Sequence, residues 1–359
     1  MKRVLVLLGV MMLLCQPCVG MEEIWQSVEA DGLLDAARQY APELKVTATP
    51  DLNKSLKDLL HTAVSFLPEA IKQVVGSSMR LLVIVLLCGI AHSLREGKGA
   101  GGIDVCVLAG AVGITLVAAN DVRGMLGMGR ATLDSIHGFS QVALPVLAAC
   151  SAATGHGGSA IVRHMATAVF SNVLITVIDK FLVGLIYAFI ASYAAYAAIG
   201  NQGLKRIAEL IKWVIGKTLA LILIGYVSYL TVTGTVAAGA DSAALKVTKN
   251  MISAFVPVVG RIISDASETI VIGAGMVKNT AGLIGMIVVL AVCVVPFLRL
   301  AVHYLGYRLS AALSATVADT RLWELISGIG SAFGLVLGMT GACAVIMLVS
   351  ILSTLAGGG

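Results

Sequence analysis

The amino-acid sequence predicts an all-α, polytopic integral membrane protein with about eight transmembrane helices and a small helical exported arm at its N-terminus. Of its 359 residues, 58% are hydrophobic and only 13% are charged, whereas a soluble domain carries about 25% charged residues. The apolar residues collect in segments of about 20 residues, which is the length of a helix that crosses the hydrocarbon layer. Lipid is therefore the expected solvent for most of the chain.

The N-terminus carries the features of an export signal. Lys2 and Arg3 precede an apolar run over residues 4–14, and small residues from Cys18 to Gly20 offer a cleavage point before Met21. This pattern predicts a secretory signal peptide over residues 1–20, with an uncleaved membrane anchor as the alternative. In both cases the residues that follow are expected outside the cytoplasm.

Residues 21–78 predict an exported arm of amphipathic helices. Pro50 suits the first turn of a helix, and a stripe of apolar residues at helical spacing follows from Leu52 to Leu67. Two uses of this stripe remain open, namely packing on the protein's own membrane domain and docking of a partner.

Residues 79–359 predict the membrane domain. The predicted spans are 79–94, 103–119, 139–155, 159–178, 181–200, 218–239, 281–301 and 331–355. Basic residues favour cytoplasmic loops. With an exported N-terminus, eight crossings place four connections inside: 95–102, a short turn at 156–158, 201–217 and 302–330. They place 120–138, 240–280 and the C-terminus outside.

Two segments of this domain predict contacts. Residues 201–217 predict an interfacial helix, either a basic anchor on the inner leaflet or a docking helix for an ATPase. In the last span, small residues spaced four apart line one helix face and allow a neighbouring backbone to approach closely. They are Gly330, Gly334, Gly338 and Ala342. This face suits either packing within the chain or a subunit interface.

No catalytic chemistry is predicted. The metalloprotease, nucleophile-elbow, Walker and dinucleotide-binding patterns do not occur, and no cofactor or metal site is expected. Basic runs with interleaved aromatic residues, typical of nucleic-acid binding, do not occur either. The predicted spans carry no ladder of acidic residues and histidines, which a pump would need.

The stretch 254–282 is the most individual part of the sequence. It is apolar, yet a proline and a glycine interrupt it early and polar residues recur through it, so an ordinary span is not expected. It predicts a contact or channel-lining element outside the cytoplasm, between the sixth and seventh spans. The residues assigned to this motif are Phe255, Pro257, Gly260, Arg261, Asp265, Glu268, Gly273, Gly275, Lys278 and Asn279.

This stretch, with Lys249-Asn250 before it, resembles the stage III sporulation protein AE family (SpoIIIAE). The resemblance implies a component of the transenvelope channel, or feeding tube, between mother cell and forespore, needed for endospore development and late forespore sigma factor activity. It implies a multi-pass protein of the mother-cell (outer forespore) membrane, with the exported side in the intermembrane space. The partners implied are the other stage III sporulation A-operon proteins, including an ATPase, and indirectly the forespore protein SpoIIQ.

A second function stays open beside this one. A chain with many apolar spans and no energy-coupling motif also fits a stand-alone secondary transporter of an unknown solute. A channel component is expected to co-purify with other envelope proteins, and self-association into a homo-oligomer is open. A transporter is expected to show ligand-dependent stabilisation.

Overall fold

Antiparallel long helices make up the structure, a computed structural model that describes residues 30–42, 52–93, 104–151, 157–232 and 280–356. All regular elements in these ranges are helices, which confirms the predicted fold class. They are α1 Ala30–Tyr40, α2 Leu52–Ser93, α3 Val105–Ser151, α4 Gly157–Val177, a π-helical turn Ile178–Leu182, α5 Val183–Ile199, α6 Gln202–Val232, α7 Thr280–Ser314 and α8 Thr320–Ala356.

Five stretches of helix are long and apolar enough to cross a membrane, so the predicted count of about eight is not confirmed. The stretches are Lys57–Ala91, Val105–Leu147, Met165–Ile199, Gly282–Ser314 and Thr320–Ser353. Two of them each contain a pair of predicted spans, and this accounts for part of the difference.

The first pair lies in α3, where the predicted loop 120–138 is helical. Apolar residues within it, such as Val122, Leu126 and Leu133, are buried against the bundle, while Arg123, Arg130 and Asp134 point outward and Asp121 is buried. Because that spacing is the period of a helix, the segment continues the helix instead of ending it. At 47 residues, α3 is about 70 Å long. The prediction of a loop was wrong because it weighed the charged residues and not the helical period of the apolar ones.

The second pair of predicted spans, 159–178 and 181–200, forms one continuous helical rod. The turn predicted at Asp179 and Lys180 is instead the π-helical turn, whose flanking Ile178 and Leu182 are buried while the two charged residues are exposed. The rod ends at Gly200, whose φ of 78° is a left-handed conformation that glycine adopts without steric cost.

Close contacts bring several helix ends together at one end of the bundle, which we call the basic end. Gly89 of α2 lies against Val317 after α7, and Gly110 of α3 lies against Leu322 of α8. The ammonium of Lys205 on α6 reaches Glu324 of α8. The basic segments 201–217 and 302–330, predicted on the same side, therefore meet in space. The helix ends that flank 95–102 also lie there.

The opposite end, which we call the far end, holds the last residues of α3 and the first residues of α4. The prediction that α3 and α4 are connected beside the basic loops is therefore wrong, because α3 is one helix that ends at the far end, where α4 begins. Gly285 lies against Ile351 there, so the C-terminal end of α8 is at the same end.

The described part of the predicted arm does not form a separate unit. In α1, Leu33 and Ala37 are buried, and Tyr40 packs edge-on against Phe139 of α3 with ring centroids 6.4 Å apart. The predicted amphipathic stripe and the predicted first span are one helix, α2, which continues through Pro68. The predicted signal peptide, residues 1–20, lies outside the described residues.

Candidate functional site

The predicted contact motif between Phe255 and Asn279 lies outside the described residues, so its role stays a prediction. The described part of the chain contains polar side chains that join helices distant in sequence. Polar groups inside apolar spans are costly, and they mark functional positions more often than surface charges do. Two groups of them form the candidate site.

The first group, the basic-end cluster, fastens α5, α6 and α8 together. Its members are Lys205, Glu324, Tyr193 and Glu209. Lys205 Nζ lies 2.6 Å from Glu324 Oε1, and the Tyr193 hydroxyl donates a hydrogen bond of 2.5 Å to Glu209 Oε1. The Lys205 ammonium also lies 5.7 Å from the ring centroid of Tyr196. A basic residue of the predicted interfacial helix is thus engaged within the chain.

Local sequence explains why two helices start at this end. Asn201 precedes α6, and its side-chain oxygen accepts a hydrogen bond of 2.8 Å from the Gly203 N–H. Asp319 precedes α8 and accepts a 2.8 Å bond from the Arg321 N–H. Both side chains satisfy backbone donors that a helix start leaves free. The two caps fix the helix starts that carry Lys205 and Glu324.

Electrostatics favours the charged form of the Lys205–Glu324 pair. The hydrogen bond to Glu324 raises the pKa of Lys205, although partial burial opposes this effect. The Glu324 side chain is only 14% exposed, and its Oε2 is buried with no hydrogen-bond partner. Removing the lysine would leave a mostly buried carboxylate without its cation.

Arg308 joins α7 to α8 beside this cluster. Its Nη1 donates to the Ser327 hydroxyl at 2.9 Å, and its Nη2 donates to the Ser331 hydroxyl at 3.1 Å. Its guanidinium carbon lies 5.6 Å from the centre of the Tyr304 ring. The two bonds satisfy part of this partly buried guanidinium, whose Nε is buried with no hydrogen-bond partner. Arg308 therefore contributes to the packing of the α7–α8 hairpin.

The second group, the inner polar centre, joins α3 to α7. The Tyr307 hydroxyl donates a hydrogen bond of 2.8 Å to Asp121 Oδ2 across 186 residues of sequence. Asp121 is 5% exposed and Tyr307 is fully buried. Phe333 of α8 packs edge-on against the Tyr307 ring with centroids 4.9 Å apart. The carboxylate is thus held from one side by a phenol that an aromatic ring fixes in place.

His303 lies one helical turn before Tyr307 and is completely buried. Its Nδ1 lies 2.8 Å from the backbone oxygen of Arg299. Because a carbonyl only accepts, Nδ1 carries the proton and a neutral ring has its lone pair on Nε2. That Nε2 is buried with no hydrogen-bond partner. Phe333 packs against this ring too, at 5.7 Å.

A further polar contact links α4, α6 and α8 toward the far end. The Ser350 hydroxyl donates to Thr167 Oγ1 at 2.8 Å, and Thr167 Oγ1 lies 3.2 Å from the Tyr226 hydroxyl. All three side chains are buried. Hydroxyl bonds between helices stabilise membrane bundles by about 0.6 kcal/mol each.

The predicted glycine face lies partly between α7 and α8. A side chain at Gly330 would meet Tyr307 Cβ at 3.2 Å and the Arg308 backbone nitrogen at 3.5 Å, and one at Gly334 would meet the Tyr304 ring at 3.1 Å. Ala342 is 1% exposed. These contacts are made within the chain. Such close approach brings Tyr307 and Arg308 near enough to α8 to make the bonds described above.

These polar groups hold helices together and form no recognisable reactive constellation. Within the described ranges, no group of three His, Cys, Asp or Glu side chains is placed to hold a metal ion. Tyr307–Asp121, Lys205–Glu324 and Ser350–Thr167 join helices more than 100 residues apart in sequence. The arrangement therefore fits a rigid scaffold with two buried charged positions, at Asp121 and at Glu324.

Comparison with known proteins identifies the family. The sequence model of the family described as Stage III sporulation protein AE matches residues 42–358. The chain belongs to this family. The Stage III sporulation protein AE of Bacillus subtilis (strain 168) is 22% identical over 200 residues, which cover 56% of this chain and half the length of that relative. No solved structure matches the chain.

The family resemblance found in residues 254–282 is thus confirmed. The inner polar centre, by contrast, was not predicted from the sequence. Asp121 was assigned to an external loop, and the spans were judged to lack acidic residues at depth. The helical period of 120–134 was the signal that could have placed Asp121 on the inner face of α3. No sequence signal pairs it with Tyr307, because the two lie 186 residues apart.

Proposed function

We propose that the chain is a membrane component of the sporulation transenvelope channel, the feeding-tube complex that links mother cell and forespore. In this role it supports endospore development and late forespore sigma factor activity. The single observation that carries the proposal is the family match over residues 42–358. Long apolar helices, which fit a membrane protein, support it.

The internal polar contacts support a scaffold role within that complex. Lys205–Glu324, Tyr307–Asp121 and Arg308 with its serines are used inside the chain. A scaffold needs fixed helices that present outer faces to partners. The outer face of α6 presents Ile207, Leu210 and Trp213, each more than half exposed.

The partners that we propose are the other stage III sporulation A-operon proteins, including an ATPase, with the forespore protein SpoIIQ reached indirectly. The chain would lie in the mother-cell (outer forespore) membrane with its basic end in the mother-cell cytoplasm, because cytoplasmic loops are enriched in Lys and Arg. A cytoplasmic basic end places the α6 start where an ATPase can reach it. No enzymatic activity or cofactor is proposed.

Photo-crosslinking in sporulating cells tests the partnership. A photoreactive amino acid replaces Trp213 or Leu210 on α6, and the same residue at Leu116 on α3 is the control. We expect α6 to form covalent adducts with A-operon proteins, identified by mass spectrometry, and Leu116 to form none. Equal adducts from both helices, or only lipid adducts from α6, would contradict the proposal.

Reporter fusions test the orientation separately. Green fluorescent protein after Thr316, in the turn between α7 and α8, should fluoresce because the basic end is cytoplasmic. Alkaline phosphatase after Gly359 should be active, because α8 returns the chain to the far end. Active phosphatase in a fusion after Thr316 would mean that the orientation is opposite to the proposed one, but it would not contradict the proposed role.

A stand-alone secondary transporter remains a second candidate, and the inner polar centre favours it. Buried Asp121 and the unpartnered Nε2 of His303 are the type of groups that transporters use for ion coupling. Asp121→Asn should abolish solute-dependent stabilisation if the chain is a transporter. If the chain is a scaffold, neither the wild type nor Asp121→Asn would show solute-dependent stabilisation. Sporulation would then continue with Asp121→Asn as long as this variant folds.

A further inference from the structure

The outer stripe of α3 changes chemistry along its length. Exposed residues recur every three or four positions on one face of this helix, so they form a single straight stripe. From the basic end the stripe is apolar as far as Leu116, and from Asn120 onward it is polar and charged. In order it reads Val105, Ala109, Val112, Leu116, Asn120, Arg123, Gly127, Arg130 and Asp134.

The neighbouring rod is charged at the same level. Arg130 Nε lies 3.2 Å from Asp179 Oδ1 in the π-helical turn, and both side chains are roughly half exposed. Lys180 beside it is exposed too. We define the charged belt as Arg123, Arg130, Asp134, Asp179 and Lys180. The belt crosses two antiparallel elements, so it marks a level of the bundle and not only a property of α3.

α2 shows the same change in the opposite chain direction. Between Met79 and Ile90 its exposed large residues are apolar, with Arg80 as the exception at the start. Before Met79 its exposed face carries charges, including Glu69 and Lys72, among exposed apolar residues such as Ile71 and Val75. Three long elements therefore share an apolar zone that ends on the same side.

The thickness of the apolar zone approaches that of the hydrocarbon core of a bilayer. Counted from the basic end, the zone extends about 20 Å along α2, about 22 Å along α3 and about 28 Å along the rod from Ile199 to Lys180. The hydrocarbon core is about 30 Å thick. Several charged side chains facing lipid at its centre would each cost about 3 kcal/mol or more. The belt therefore cannot lie deep in the hydrocarbon.

We propose that the charged belt lies at the phospholipid headgroup layer and that the half of the bundle beyond it projects from the membrane. Arg123, Arg130 and Lys180 are positioned to meet lipid phosphates, while the Arg130–Asp179 pair ties the two elements at that level. Beyond the belt, α3 continues for about 25 Å from Asp134 to Ser151.

The far half does not need lipid to bury its apolar helices. Residues 282–304 of α7 are all buried or partly buried, and the C-terminal part of α8 is mostly buried by its neighbours. An all-round apolar helix is equally suited to a protein core. The outer face of α4 combines the apolar Met165, Val169 and Val173 with the polar Asn172 and Thr176, a mixture that tolerates water.

Cysteine labelling tests the level of the bilayer. In a full-length variant whose native cysteines are replaced, single cysteines are placed at Val112, Leu116, Arg130 and Asp134 on the same stripe. A membrane-impermeant maleimide is supplied on both sides of lipid vesicles, so the result does not depend on orientation. We expect at least tenfold faster labelling at Arg130 and Asp134 than at Val112 and Leu116.

Detergent provides the control, because all four positions face outward in the protein and should label alike once lipid is removed. Protection of Arg130 and Asp134 in vesicles, relieved by detergent, would place the belt within the hydrocarbon and overturn the proposal. Rapid labelling of Val112 and Leu116 in vesicles would also overturn it, since the apolar zone would then face water. Each variant is first checked for a native melting temperature.

Discussion

Helices α8 and α2 have similar apolar character, yet their surroundings differ. In its most apolar window of 18 residues, α8 is 72% buried by protein, whereas α2 is 22% buried. α8 lies in the middle of the bundle and α2 lies at its edge. Hydropathy shows that a helix is buried away from water, but it does not show whether its side chains contact lipid or protein. The same substitution, made once at a position buried by protein and once at an outward-facing position, distinguishes the two environments.

The largest effect is expected from shortening a leucine on the central helix. Leu325 of α8 is completely buried, whereas Leu87 of α2 is 62% exposed. Leu325→Ala should lower the free energy of unfolding by about 3 kcal/mol, because it removes apolar contacts and leaves a cavity. Leu87→Ala should change it by less than about 0.5 kcal/mol, since lipid or detergent fills the space.

Titration with denaturing detergent in mixed micelles measures both changes in the free energy of unfolding. Equal losses for Leu325→Ala and Leu87→Ala would mean that α2 is as central as α8, and the contrast drawn between the two helices would fail. A loss at Leu87 alone would mean that its outward face is covered in the folded protein.

A slightly smaller effect is expected from filling the close approach of α7 to α8. Gly330→Leu would place a side chain against Tyr307 Cβ and the Arg308 backbone, and overpacking of this kind costs about 2 kcal/mol. Gly184→Leu on α5 is the control, because nothing lies within 4 Å of a Cβ there. Thermal unfolding of the purified protein measures the difference.

The same pair of variants separates the two uses of the glycine face. If Gly330→Leu melts normally but loses crosslinked complexes in cells, the face contacts another subunit and not α7. If its melting temperature falls together with complex formation, the packing is within the chain. A lowered melting temperature for Gly184→Leu would show that the leucine itself, and not the close approach, is responsible.

Much of the fold could be predicted because it rests on local patterns. The all-helical class, the apolar character and the shared side of the basic segments 201–217 and 302–330 follow from composition and charge. The breaks at 120–138 and at Asp179-Lys180 were wrong for a common reason. Charges inside a long helix were taken as loop signals, although the apolar residues around them keep the helical period and leave Arg123, Arg130 and Asp134 on one outer face.

The candidate site was less predictable. The family resemblance rested on the stretch 254–282, and the family match confirms it, but that stretch lies outside the described residues. Asp121 and Tyr307 form a buried pair only because α3 and α7 pack side by side, and pairing at such sequence distance leaves no local pattern. Glu324 could be placed near a helix start, but its partner Lys205 could not be inferred.

The inner polar centre gives a smaller but more specific test. Tyr307→Phe removes the donor to buried Asp121 and should lower the free energy of unfolding by about 1–2 kcal/mol, because the carboxylate loses its partner. Tyr187→Phe is the matched control, since Tyr187 is 46% exposed. The same detergent titration measures both variants.

A double-mutant cycle with Asp121→Asn attributes the effect to the pair. If Tyr307 acts through Asp121, the loss caused by Tyr307→Phe should shrink by at least half when Asp121→Asn is already present. Strictly additive losses would show that the hydroxyl and the carboxylate contribute independently, and the bond would then not couple α3 to α7.

The smallest effect is expected at the Lys205–Glu324 pair, which joins a partly exposed lysine to a mostly buried glutamate. Lys205→Met keeps the aliphatic stem and removes the charge. It should lower the free energy of unfolding by about 1 kcal/mol, because Glu324 is mostly buried while Lys205 is one-third exposed. Arg38→Met breaks an exposed pair with Asp35 and should leave the melting temperature unchanged.

The pH dependence identifies the cause of that loss. The pKa of Lys205 is raised by its bond to Glu324, so the contribution of the pair is complete below the ordinary lysine value of about 10.4 and falls only as the pH rises through the raised value. The difference between wild type and Lys205→Met should thus be the same at pH 7 and pH 9. A difference that already shrinks between pH 7 and pH 9 would contradict a raised pKa of Lys205 and would mean that the effect of burial exceeds that of the bond to Glu324.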